Sequence, residues 1–384
     1  MLFIHQEKDW PNFKWDMLVL LDPLVKATHK HGILLGQLSG LAPEIKVKAE
    51  LESLTNEIMM NASFEGIELK REAVRSALSQ KLGINIGDTG EPDNFSQGYA
   101  NLMCDAVKNS ALPLSAERLF AWNAYISQSE SGGVKFKISE AWRTALTSVK
   151  QAFAGGRNET AYEPPAPHCL TENMQRFIAW YNLPCLAPEA RNSLPPKYAI
   201  HPVLEAGLCY LWFMAIRPFD RHNALFAQAL ADSILSRYTD VHGHFYSMPG
   251  QMQKNRKHYQ HTLEQSLQNG LDITPWLLFF IEALERAVDE SLSVFSQVLE
   301  KVLAWEAASE LPLNQRQKHI LHHMLDSSKS QITTSAYARY IKCSPDTALR
   351  DIRDLIGFGV LERSRDGGRN TKYALIINNN LANR

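Results

Sequence analysis

Nowhere in this chain do two cysteines stand at the Cys-x-x-Cys spacing. The five, Cys104, Cys169, Cys185, Cys209 and Cys343, are scattered and odd in number. Neither a disulfide framework nor a zinc site is expected, and the thiols read as plain ones. Long apolar runs are missing too: none approaches the roughly 20 residues that cross a bilayer. The opening MLFIHQEKDWPNF lacks a basic stretch followed by an apolar one and a cleavage site. A cytoplasmic protein with no membrane partner is expected. Net charge is close to zero, −1 over 384 residues, which excludes a strong overall pull toward polyanions. That average conceals an asymmetry. From Asn314 to Ile377 there are eleven Lys or Arg against six Asp or Glu, a local balance of +5 that leaves −6 for the rest. With 45% apolar side chains, the chain has material for two or three domains with real cores.

What is present is concentrated in Leu211–Leu235, LWFMAIRPFDRHNALFAQALADSIL. Leu204, Leu208, Leu211, Trp212, Ala215 and Ile216 recur at steps of three and four and leave no wide polar face, so they predict a helix central in the core. Pro218 must end it, since proline lacks the N–H donor and disfavours the α-region for Arg217. A second apolar-periodic run, Leu225, Phe226, Ala229, Leu230 and Ile234, follows seven residues later. The loop from Arg217 to Ala224 is therefore held between two buried helices. Its amides lie at the N-terminus of the second, where unsatisfied donors and the helix dipole favour an anion.

Arg217-Pro218-Phe219-Asp220-Arg221-His222-Asn223-Ala224-Leu225-Phe226-Ala227-Gln228 resembles the loop of the Fic family, His-Pro-Phe-x-Asp/Glu-Gly-Asn-Gly-Arg-x-x-Arg. The resemblance implies a mainly α Fic (Fido) helical core with a small β-hairpin flap, and an enzyme that transfers AMP from ATP and magnesium to a hydroxyl of a target protein. By that correspondence Phe219, Asn223, Ala224 and Gln228 touch nucleotide. Arg217 stands where the family has its catalytic histidine, and Arg221 where it has the acid that holds magnesium. Guanidinium stays protonated and cannot act as a base, and a fixed cation repels a metal. His222 and Ala224 replace the two glycines that let the backbone approach phosphate. Leu225 and Gln228 replace the two phosphate-binding arginines. The expectation is a loop whose usual chemistry is disabled while an anion or ATP pocket persists, with magnesium doubtful. It fails if Arg217 faces away from the anion cradle with both Asp220 and His222 turned inward in its stead. Asp220 is expected to pair with Arg217 or Arg221 rather than to hold magnesium in a shifted register. His222 is the alternative base, five residues from Arg217. His201, sixteen residues upstream, stands roughly 24 Å away along a helix.

Upstream, Trp10, Pro11, Phe13 and Trp15 predict an N-terminus pinned by packing. Helices are expected over 16–41, 46–60, 69–82 and 96–110, and then from the N-cap Ser115. HQEKDWPNFKWD, HFYSMPGQMQKNRKHY and NGLDITPW resemble segments of a bacterial Fic subgroup that carries a C-terminal DNA-binding module. NASFEGIEL resembles the family's inhibitory element, with Asn61 in place of the usual hydroxyl residue and Glu65 and Gly66 matching. The family glutamate reaches an arginine of the loop, which here has become Gln228, so Glu65 is expected to pair with Arg217 or Arg221. KFKISEAWR (135–143) and 147–167 resemble the family's strand and its flap, where a target segment is aligned by main-chain pairing. The proline-rich 184–202 reads as a surface insertion.

A long helix from Pro275 to about Ala308 is expected either to connect domains and offer a dimer surface, giving a homodimer, or to be a plain core helix. Beyond it, helices near 313–325 and 333–341 precede a helix opened by Ser344-Pro345-Asp346, an N-cap, an N1 proline and a first-turn acid. A hairpin over 360–364 and 371–375 follows. This order resembles a winged helix-turn-helix, with Thr347, Arg350 and Arg353 facing out on the recognition helix and Arg363, Arg365, Arg369 and Lys372 on the wing, where DNA phosphates are contacted. His319, His322 and His323 read as surface histidines rather than a metal clip. The expected organisation is an inhibitory segment over 1–95, a Fic core over 96–275, a connector over 276–310 and a winged helix over 311–384. Three functions compete: a regulatory or DNA-binding protein on a silenced core, an active AMP transferase with a non-standard loop, and a protein-interaction platform.

Overall fold

Two almost wholly buried helices flank one short loop, and the first 291 residues are built around them. The computed structural model describes residues 2–41, 43–84, 92–130, 141–145, 162–183, 200–239, 245–309, 311–326, 331–363 and 371–375. The chain divides into two compact units, Met1–Ser291 and Leu292–Arg384.

In the first unit the described helices are α1 (Met17–Ser39), α2 (Pro43–Phe64), α3 (Arg71–Leu82), α4 (Asn94–Lys108), α5 (Ala116–Glu130), α6 (Leu170–Tyr181), α7 (Pro202–Ile216), α8 (Asn223–Arg237), α9 (Met248–Lys254), α10 (Arg256–Gln268) and the start of α11 (Thr274–Ser309). Every residue of α7 from Val203 to Ile216 is buried, which is what its lack of a polar stripe demands. It packs along α8, with α4 against α8, α6 against α7, and α2 against α3, α4 and α9. Helix α11 crosses α7 closely. Trp276 Nε1 donates to the Gly207 carbonyl at 2.7 Å, and a Cβ at Gly207 would stand 3.0 Å from Leu277 and 3.1 Å from Phe280. The N-terminus is pinned as the tryptophans predict. Lys14 N donates to Leu271 O at 2.8 Å and Ile273 N to Lys14 O at 2.9 Å, while Trp10 and Phe13 pack edge-on against Trp212 of α7. Asp272, rather than Thr274 alone, caps α11, its carboxylate accepting from Thr274 N at 3.0 Å.

The second unit holds α12 (Gln315–Asp326), α13 (Thr334–Ile341), α14 (Pro345–Gly357) and a three-stranded antiparallel sheet in the order β1-β3-β2, where β1 is Gln331–Thr333, β2 Leu361–Arg363 and β3 Lys372–Leu375. The register sets Leu361 against Leu375 and Arg363 against Tyr373. Strand β1 was not expected: three residues, QIT, are too few to show a period. Ser344 caps α14 by accepting from Thr347 N at 3.2 Å. Ile320, Leu321, Tyr337, Ala348, Ile352 and Leu355 form the core. Asp351, buried among them, accepts from Arg316 Nε at 2.8 Å, Asn314 Nδ2 at 3.1 Å and Tyr337 Oη at 3.2 Å. His323 stacks on Tyr340, with ring centroids 3.8 Å apart.

The expected strand at 135–140, most of the flap at 147–161, the insertion at 184–199, and Arg365 and Arg369 of the wing lie outside the described residues.

Candidate functional site

The loop between α7 and α8 is fixed first by its backbone. Helix α7 ends at Arg217 in the left-handed region, φ 46°, and α8 begins after His222, also left-handed at φ 63°. Neither residue is glycine, so each holds a conformation that L side chains adopt at a penalty of roughly 1–2 kcal/mol, and packing must hold them there. Asn223 supplies part of that hold. Its Nδ2 donates to Phe219 O at 2.7 Å and its Oδ1 accepts from Phe219 N at 3.1 Å, closing the loop on itself. Phe219 is buried and packs against Trp142 and Phe226.

The last carbonyls of a helix need donors from outside it, and here two of them, with the two carbonyls that follow the helix, find side-chain or loop donors. Arg217 Nε donates to Met214 O at 3.3 Å, Tyr162 Oη to Ala215 O at 2.8 Å, Arg143 Nε to Arg217 O at 2.7 Å, and Arg143 N to Pro218 O at 2.9 Å. Arg143 is itself buried, and its Nη2 reaches the Pro165 carbonyl. Burial draws its guanidinium below its ordinary value, while Asp220 acts in the opposite sense. The partners of the loop are therefore residues that sequence reasoning did not single out for this role. Tyr162 and Arg143 are separated from the loop by dozens of residues, and no spacing signal could have found them.

The Arg217 guanidinium turns back along α7. Burial lowers its affinity for protons, against the influence of Tyr259, Tyr162 and Tyr210, and a guanidinium in that setting remains a cation. Arg221 and Asp220 are exposed. The charge of Asp220 acts on Arg143. His201 caps the far end of α7, accepting from Val203 N at 3.2 Å.

Helix α2 reaches this loop. After Phe64 the chain reverses at Gly66, φ 78°, with Ile67 N donating to Ala62 O at 2.8 Å. This is a glycine-terminated helix end, and it aims Glu65 at the start of α8. There Glu65 Oε2 meets His222 Nδ1, with the Tyr99 hydroxyl of α4 at 3.5 Å. The expected pairing of Glu65 with Arg217 or Arg221 is thus corrected. The partner is the imidazole, because His222 is the loop residue whose side chain is buried on the α2 side, while Arg221 points to solvent and Arg217 lies back along α7. Asn61, one turn before Glu65, donates to Glu57 Oε1 at 3.4 Å. Asn61, Glu65, Ala224 and Gln228 come together with Tyr210 and Met252 around a cavity of about 10 Å³, which is space for about one water molecule. Gln228 Nε2 donates to Asp232 Oδ1 at 2.9 Å, deep in the unit.

A solved Fic family protein from Desulfovibrio desulfuricans G20 superposes with a TM-score of 0.52, covering 92% of this chain and 95% of that one at 14% identity. The chain has the Fic fold. Fic-1 (residues 134–508) from C. elegans matches with a TM-score of 0.50 over 73% of this chain and 74% of that one, at 15% identity. A family described as a domain of unknown function, DUF4172, matches residues 3–84, the part of this Fic-fold chain that contains α1, α2 and α3. No curated protein sequence matches the chain.

Proposed function

We propose that this chain is a Fic-fold protein that does not transfer AMP, and that its closed core serves as a regulatory body for a DNA-binding C-terminal unit. The observation that carries the reading is the contact between Glu65 and His222. It brings α2 down on the start of α8, where an anion would have to enter, and leaves room for about one water. The donor set points the same way. The loop offers a magnesium ion one exposed carboxylate, Asp220, beside the Arg221 cation, and hard divalent cations need several oxygen ligands. The residues present do not fit a magnesium nucleotide. In the second unit, read as a winged helix, Arg350 and Arg353 are exposed on α14, with Arg363 and Lys372 exposed on β2 and β3. That cationic face suits phosphate contacts.

One observation favours a second reading, the active transferase. A carboxylate at Nδ1 is the arrangement that orients an imidazole for base catalysis at its other nitrogen, and Glu65 stands there against His222. Incubating the full chain and Glu65→Gly with labelled ATP and magnesium separates the two. The proposal expects no labelled protein from either; transfer by the full chain that Glu65→Gly abolishes would establish a transferase whose base Glu65 orients, and transfer by Glu65→Gly alone would establish one that Glu65 holds shut. A DNA mobility shift that weakens steeply with salt supports the DNA-binding role, and its absence at low salt favours an interaction platform.

A further inference from the structure

The outer face of α1 takes no part in anything described so far. Its inner stripe, Leu20, Leu24, Ala27, Leu34 and Leu38, is buried in the first unit. Opposite it, Leu18 is 85% exposed, Val25 59%, Leu21 45% and Ile33 41%. Single exposed apolar side chains are ordinary, but a row of them along one helix face is the mark of an interface. Two features say what covers this row. Leu18, Val25 and Gly32 follow one another at seven-residue steps, so a twofold axis at Val25 exchanges Leu18 with Gly32. A Cβ built at Gly32 or Gly36 would meet nothing within 4 Å, so the backbone lies bare there and a large side chain can settle on it.

We propose that α1 pairs antiparallel with α1 of a second copy of this chain, about a twofold axis at Val25. Each Leu18 then seats on the partner's Gly32, and the two Val25 side chains meet on the axis. Charge agrees with this register. Asp22, Lys26 and His29 are exposed on one rim of the stripe, and the axis brings Asp22 beside the partner's His29 with the partner's Lys26 next to it. The same pairing occurs twice, as an isologous contact requires. One helix pair about 30 Å long is small beside standard interfaces of roughly 1,200–2,000 Å², so the dimer dissociates on dilution. The inference is independent of the reading of the loop.

Sedimentation of the full chain over a hundredfold concentration range tests it, with circular dichroism confirming that each variant folds. The wild type should shift from monomer to dimer. Leu18→Glu and Gly32→Leu should each raise the dimer dissociation constant at least about tenfold, the first by placing charge in the seam and the second by filling the hole. Asp22→Lys and His29→Glu should each weaken the dimer, and the double variant should recover it, because the swapped charges meet again across the axis. A wild type that stays monomeric throughout overturns the proposal. So does a dimer indifferent to Leu18→Glu and Gly32→Leu, a double variant no better than the singles, or a monomer whose α1 instead binds phosphatidylcholine vesicles.

Discussion

His5 shows how much of the loop is held from a distance. Its Nδ1 lies 3.1 Å from the Tyr162 hydroxyl, which itself donates to the last turn of α7. Burial, reinforced by the nearby Arg143 cation, lowers the pKa of His5 from 6.5 to about 4. The imidazole is neutral in the folded protein at pH 6, whereas the unfolded chain binds a proton there. Between pH 6.5 and about 4 the unfolded state holds more protons, so stability rises with pH across that window and is lost as pH falls. The expected loss is on the order of 2 kcal/mol after allowance for partial exposure. His5→Gln should flatten this part of a urea-denaturation stability profile; an unchanged slope would locate the proton uptake elsewhere. Nothing in the sequence pointed to His5. A chain 384 residues long gives no spacing signal for a contact between residues 5, 143, 162 and 215. The departures at positions 217 and 221 were legible because they substitute one charge type for another. The partner of Glu65 was not legible, because it depended on which loop side chain turns toward α2.

At the level of elements, periodicity located most of the described helices to within a few residues, since each presents an apolar stripe or, in α7, no polar face at all. Close approach was the hidden quantity. Gly207 reads in sequence as an ordinary small residue in an apolar helix, yet it is where α7 and α11 meet. An added side chain would press on Leu277 and Phe280 at distances near 3 Å. Gly207→Val should therefore lower stability by about 1–3 kcal/mol through overpacking, despite its better side-chain hydrophobicity. A midpoint shift in guanidinium denaturation measures it, and a neutral result would mean the rings move aside freely. Strand β1 was missed for the opposite reason, being too short to carry any pattern, although it supplies the edge against which β3 pairs.

Across the whole molecule, the charge asymmetry and the cap at Ser344 made the C-terminal unit recognisable before any coordinates, whereas its internal brace was not. Burial alone would raise the Asp351 carboxyl, and hydrogen bonds from Arg316, Asn314 and Tyr337 outweigh it and hold the group below the usual carboxylate range. Removing the charge leaves buried donors unsatisfied, so Asp351→Ala should cost about 2–4 kcal/mol. The loss belongs to the second unit. Calorimetry should show one transition moved to lower temperature and the one belonging to the first 291 residues unmoved; a common shift of both would mean the units unfold as one. On the proposed reading, the tip of α2 sets a rate as well as a block. A solute headed for the first amides of α8 would wait for Glu65 to let go of His222, a unimolecular event. Its observed association rate should climb with concentration and then level off at the opening rate, a plateau that reports how often this lid lifts.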